Sequence, residues 1–202
     1  IFLNFIDEIG NYSLENEDLD LSIDEFNNIS FNNVTISDHF KNIIAKIGEN
    51  IVLTKLIKIK KIENEFLSSY IHNSYRKNIG KIGVILKFKA QDMNENVSKL
   101  GKNLCMHIAA SKPLSLNIDQ LDKELIAKET EIQLEGIKSS GKPENIIDKI
   151  LEGKMNKFYS ESTLLNQQYI LDPDKKVYEI IKDFSETNKF EIAEYHLMVL
   201  GL

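Results

Sequence analysis

The chain has a single cysteine, Cys105, among 202 residues. One thiol excludes an internal disulfide, so the scaffold is not built on crosslinks. No apolar run approaches the roughly 20 residues needed to cross a bilayer. No signal-peptide pattern is read at the start, and the first residue, Ile1, falls in mid-pattern rather than on a methionine, so a piece of a longer product is expected. Excess positive charge is also missing. The net charge of -6 disfavours nucleic acid as a direct partner. No glycine-rich phosphate loop is present, because the Ser139–Lys142 stretch lacks both the preceding strand and the run of glycines. The four histidines are scattered at His39, His72, His107 and His196, so no metal-ligand spacing emerges. The acidic stretch between Glu15 and Glu25 lacks the spacing and central glycine of a calcium loop.

What is present is most organised between Lys81 and Pro113. Ile82, Val84, Leu86 and Phe88 alternate with other residues, which predicts a strand. After Asp92 and Asn94 the period changes. Val97, Leu100, Leu104 and Ile108 recur at three- and four-residue spacing and predict one buried face of a helix. Pro113 stops it, because the residue before a proline is pushed out of the right-handed helical region. Met106 lies opposite the apolar stripe. Asn103 and Ala110 fall between it and His107, which borders the stripe. That surface of low relief reads either as an ordinary exposed face or as a docking face. Cys105 and His107 diverge by roughly 160° on the wheel, so they form no nucleophile–base pair with each other.

The remaining pattern predicts an α+β fold. Phe2, Phe5, Ile6 and Ile9 predict a helix closed by Gly10 and Asn11. Ser13–Ser37 reads as a surface excursion with short pieces of structure. Ser37 is the expected N-cap of a helix carrying Phe40, Ile43, Ile44 and Ile47, which ends at Gly48. The β-branched stretch Asn50–Ile62 predicts a strand, Leu67–Asn73 a second, and Asn78–Gly80 a hairpin turn into the Lys81 strand. Beyond Pro113, a near-heptad track of Leu121, Leu125, Lys128, Ile132 and Glu135 is followed by a polar turn over Ser139–Pro143. A second run, Ile146, Ile147, Ile150, Leu151, Met155 and Phe158, then predicts an inserted antiparallel helical hairpin of coiled-coil type. Asp172 and Pro173 are expected to cap and start a helix through Val177, Ile180, Ile181 and Phe184. Phe190–Leu202 predicts a strand returning to antiparallel sheets packed with helices.

The string "CMHIAASKP" at Cys105–Pro113 resembles the centre of bacterial and organellar elongation factor Ts. "IAKIGEN" at Ile44–Asn50, "GKIGVIL" at Gly80–Leu86, "SGKPENIIDKILEGKMNKFYSESTLLNQQYI" at Ser140–Ile170 and "DPDKKVYEIIKDF" at Asp172–Phe184 resemble that family in the same order. The resemblance implies a guanine nucleotide exchange factor for elongation factor Tu in its GDP-bound and nucleotide-free states. It implies no catalytic residue, no cofactor and no metal, and no contact with a membrane or with nucleic acid. It leaves a homodimer open, and places the protein in a bacterial cytoplasm or an organelle interior, the mitochondrial matrix or plastid stroma. It implies that residues 1–66 are the remainder of an N-terminal core subdomain. Residues 67–118 with 164–202 would form a C-terminal one, and 119–163 the inserted hairpin. His107 would meet the nucleotide-binding domain of Tu near its phosphate loop, with Met106, Ala110, Ile108 and Asn103 beside it. A family N-terminal three-helix module and a "TDFV" wedge would precede Ile1. The alternatives are a Tu-binding scaffold without exchange activity and a small enzyme using Cys105 or His107.

Overall fold

The computed structural model describes residues 1–15 and 21–201. They divide into two compact units, Ile1–Lys60 and Lys61–Leu202. The α+β class is as the sequence predicts, with antiparallel strand pairs throughout.

The first unit contains helices α1 (Phe2–Glu15), α2 (Ile23–Asn27) and α3 (Ile36–Ile47), with a short hairpin of β1 (Ser30–Phe31) and β2 (Val34–Thr35). Its core gathers Phe5, Ile9, Phe26, Ile36, Phe40 and Ile43. Gly10 does not close α1 as expected. It has no left-handed backbone, unlike Gly48, whose φ of 74° does end α3. The cap of α3 is Thr35, not Ser37. Its hydroxyl accepts from Asp38 N at 3.1 Å, and Ile36 begins the helix fully buried. The Ser13–Ser37 segment is more than a surface excursion, since Phe26 and Ile36 belong to the core. The part of its acidic stretch at 16–20 lies outside the described residues. The strand expected over Asn50–Ile62 is absent. Its β-branched residues favour extended backbone, but the segment has no ladder partner, and its apolar side chains Ile51, Leu53 and Leu56 pack against the core instead.

The second unit is built on a three-stranded antiparallel sheet ordered β3 (Glu65–Arg76), β4 (Ile79–Lys89), β7 (Glu191–Val199). Register places Phe66 opposite Phe88, and Leu86 opposite both Ser68 and Tyr195. The even residues Val84, Leu86 and Phe88 are fully buried, as their alternation predicts. On that face lies α4 (Glu95–Ser111), whose Val97, Leu100, Leu104 and Ile108 complete the core with Val177, Phe190 and Leu164. Phe88 and Phe190 stack with centroids 4.6 Å apart. Asn94 caps α4 by accepting from Val97 N at 3.0 Å. Lys112, denied the right-handed region by Pro113, closes it in the left-handed one at φ 46°.

Helices α5 (Lys123–Ser139) and α6 (Glu144–Ser162) follow, joined by a turn in which Gly141 takes φ 68°. Thr130 Oγ1 meets Met155 Sδ at 3.7 Å, and Lys154 Nζ donates to Gln133 Oε1 at 2.9 Å, so the two run antiparallel. The seam is not the expected one. Lys128, Ile132 and Glu135 are exposed, while Thr130, Gln133 and Ile137 face inward. Leu121 sets no helical phase because it precedes the Asp122 N-cap. Next come β5 (Gln168–Tyr169), β6 (Asp172–Lys176) and α7 (Val177–Asn188). Asp172 and Pro173 therefore begin a strand rather than a helix. The helix starts five residues later, where Glu179 Oε2 accepts from Lys176 N at 2.7 Å.

Candidate functional site

The site begins with the outer side of α4. The helix turns its aliphatic stripe to the sheet, which leaves Asn103 and Met106 half-buried and Ala110 exposed. Ile108 is fully buried in the core and presents nothing to a partner.

His107 differs most from expectation. It is not on the surface; its relative exposure is 0 %. The segment from Leu164 to Leu171 covers it. Ile170 N donates to His107 Nδ1 at 3.3 Å, and His107 Nε2 lies 2.9 Å from Gln167 Oε1. The Tyr169 ring sits 5.7 Å from the imidazole, and the Asn103 side chain offsets part of the upward push that burial gives the Tyr169 phenol. Burial holds the imidazole below the usual histidine range, and the Gln167 hydrogen bond opposes this. With Nδ1 occupied as an acceptor, Nε2 carries the single proton.

Gln167 is nearly as buried. Its amide nitrogen donates to Glu161 O at 2.7 Å and Ser111 O at 3.3 Å, and its backbone carbonyl accepts from Val177 N at 3.0 Å. It thus touches the ends of α4 and α6 and the start of α7. The β5–β6 turn beside it carries Ile170 and Leu171, both exposed. An open hollow of about 680 Å³ lies between the ends of α4 and α6, lined by Ser111, Asn156, Lys157, Ser160, Gln167 and Lys176 among others. Among the described residues no buried side-chain polar atom lacks a hydrogen bond, and no three His, Cys, Asp or Glu converge to hold a metal.

Cys105 faces away from this site. It is fully buried against the sheet, near the Leu86 backbone, and burial pushes its thiol up to about 12. It does not converge with His107, as the wheel predicted. No helix among the described residues is long and apolar enough to cross a membrane.

Sequence reasoning missed Gln167, Tyr169 and Ile170. They stand in the "LLNQQYI" end of a motif string already noted, but their partner is about 60 residues away, and no local periodicity points to it.

A family profile described as "Elongation factor TS" matches residues 1–202. The chain is similar to the elongation factor Ts of Sinorhizobium fredii, 34 % identical over 169 residues, covering 83 % of this chain and 55 % of the relative. It is 35 % identical to that of Orientia tsutsugamushi over 158 residues, 78 % of this chain and 51 % of the relative. With that of Gluconobacter oxydans the identity is 33 % over 181 residues, 90 % and 59 %. The chain thus spans between 51 % and 59 % of the length of these curated relatives.

Proposed function

The chain belongs to the elongation factor Ts family, and from that premise we propose that it promotes release of GDP from elongation factor Tu, acting by protein–protein contact rather than by catalysis. The observation that carries the reading is the outer side of α4, where Met106, Asn103 and Ala110 form an accessible face of small relief over a fully buried, fully hydrogen-bonded histidine. Such a face suits close approach by another protein.

Exchange needs no covalent chemistry. A factor that binds nucleotide-free Tu more tightly than GDP-bound Tu must, by linkage, weaken nucleotide binding by the same factor. In this reading Met106, Asn103 and Ala110 make the direct contact, and His107 and Ile108 support the face from beneath. The antiparallel α5–α6 pair offers a second contact with Tu, or with another copy of this chain. The net charge of -6 agrees with a protein partner and not nucleic acid. The relatives are bacterial, which favours a bacterial cytoplasm over an organelle interior.

The test mixes the chain with Tu loaded with fluorescent GDP and follows release. Faster release that saturates with chain concentration is the expected result. Binding to Tu with unchanged release would instead make this chain a scaffold. Absence of binding would overturn both.

A further inference from the structure

The atoms around His107 admit one arrangement of protons. Ile170 N–H can only donate, so Nδ1 must be bare. Nε2 then carries the hydrogen and needs an acceptor, so the Gln167 amide must present its oxygen. Independently, the other end of that amide meets two carbonyls, Glu161 O and Ser111 O, which require the nitrogen there. Two separate demands agree on the same orientation.

We propose that Gln167 is a positioning residue: it holds His107 in the neutral Nε2–H tautomer, and that tautomer, by accepting from Ile170 N–H, pins the Tyr169–Leu171 turn beside the exposed face of α4. A second proton on the ring would go to Nδ1. The Ile170 N–H would lose its acceptor, and the turn carrying Ile170 and Leu171 would be released. The same glutamine bonds the last turns of α4 and α6, so the state of the imidazole reaches both helices. The inference rests on the proposed docking role of α4 only for its consequence, not for its geometry.

Tyr169 on β5 is a neutral phenol whose pKa burial raises. On α4, Cys105 faces the sheet. Lys157 and Glu161 of α6 and Lys176 of β6 line the hollow that Gln167 also borders. None of these charges is a cause of the shift in His107, which burial drives downward and the Gln167 hydrogen bond opposes.

The test uses the whole chain and long-range nitrogen–proton NMR of His107, with amide exchange at Ile170. In the unmodified protein at pH 7.5 the proton is expected on Nε2. As the pH falls, exchange at Ile170 should accelerate with the same midpoint as the ring titration. Gln167→Glu keeps an acceptor for Nε2–H, adds a negative charge and removes both donors. It should raise the His107 midpoint and speed exchange at Ile170 by about tenfold, roughly one hydrogen bond. Gln167→Met, of similar length, removes the acceptor for Nε2–H and should weaken the single-tautomer preference, which Ile170 N–H then holds alone. A tautomer mixture in the unmodified protein would overturn the proposal, as would an unchanged midpoint and unchanged Ile170 protection in Gln167→Glu. Should Gln167→Met fail to fold, the glutamate variant and the pH titration still decide. If both variants behave as expected while GDP release from Tu is unaffected, the positioning role stands and the docking role of this face falls.

Discussion

Gly101 in α4 lies directly over Ser68 in β3. A Cβ built on Gly101 would collide with the Ser68 hydroxyl and sit 3.1 Å from both Ser68 Cβ and the Phe88 ring. The helix seats closely on the sheet at the one position of this contact that has no side chain.

Gly101→Ala is therefore expected to destabilise the second unit, although alanine is the better helix former. Propensity favours the variant by at most about 1 kcal/mol. Forcing a methyl against the Ser68 Cβ and a buried ring costs about 1–3 kcal/mol. Urea denaturation with the slope held constant would measure the difference; a variant more stable than the parent would refute the close seat of α4.

In the helical pair, Ile137 is 2 % exposed and Ile132 52 %. Ile137→Ala should cost about 2–4 kcal/mol, with protection from hydrogen exchange lost over Lys123–Ser162 before the β4 strand. Ile132→Ala should change stability by less than about 0.5 kcal/mol. Equal effects would return the seam to the heptad track expected from sequence.

The accessible face of α4 can be blocked without harm to the helix. Ala110 is exposed in the last turn of α4, where a cation suits the helix dipole. Ala110→Lys should melt at the parent temperature within a few degrees, yet slow the chain-stimulated release of GDP from Tu by roughly 5- to 150-fold, the usual coupling scale. Met106→Ala should act in the same direction more weakly. Unchanged release in both would move the contact elsewhere.

For His107 the sign of the pH dependence follows from its direction of shift. Its folded-state pKa lies below the ordinary value of 6.5. Between the two values the unfolded chain binds more protons than the folded one. The stabilisation is complete above about pH 6.5 and is lost as the pH falls toward the folded pKa. Denaturant midpoints at pH 8, 6.5 and 5 should fall more steeply in the parent than in His107→Gln, which carries an amide that does not titrate. Parallel profiles would show that the imidazole is not buried in its neutral form.

Cys105 should be silent toward iodoacetamide at pH 8 in the folded chain, being both buried and held as a thiol. Labelling should appear only with the unfolding transition in urea. Rapid labelling of folded protein would revive a role for this thiol.

The chain's own pattern determined more than the fold class. The alternation from Ile82 to Phe88 and the helical spacing from Val97 to Ile108 identified the centre of the core, because burial on one face imposes a period that survives in sequence. Gly48 and Pro113 marked helix ends, because each constrains its own or its neighbour's backbone. The face of Asn103, Met106 and Ala110 was legible for the same reason, as the complement of the stripe. The seam of the helical pair and the fate of Asn50–Ile62 were not. Both depend on whether a partner is present in space: Leu121 falls before its helix, and a β-prone segment without a neighbouring strand forms no ladder. His107 is the clearest case. Periodicity placed it at the rim of the stripe, and there it would be half-exposed on an isolated helix. It is buried because Gln167, Tyr169 and Ile170 fold back over it from 60 residues further along, and hydrogen bonds across that separation leave no periodic trace in the chain that makes them.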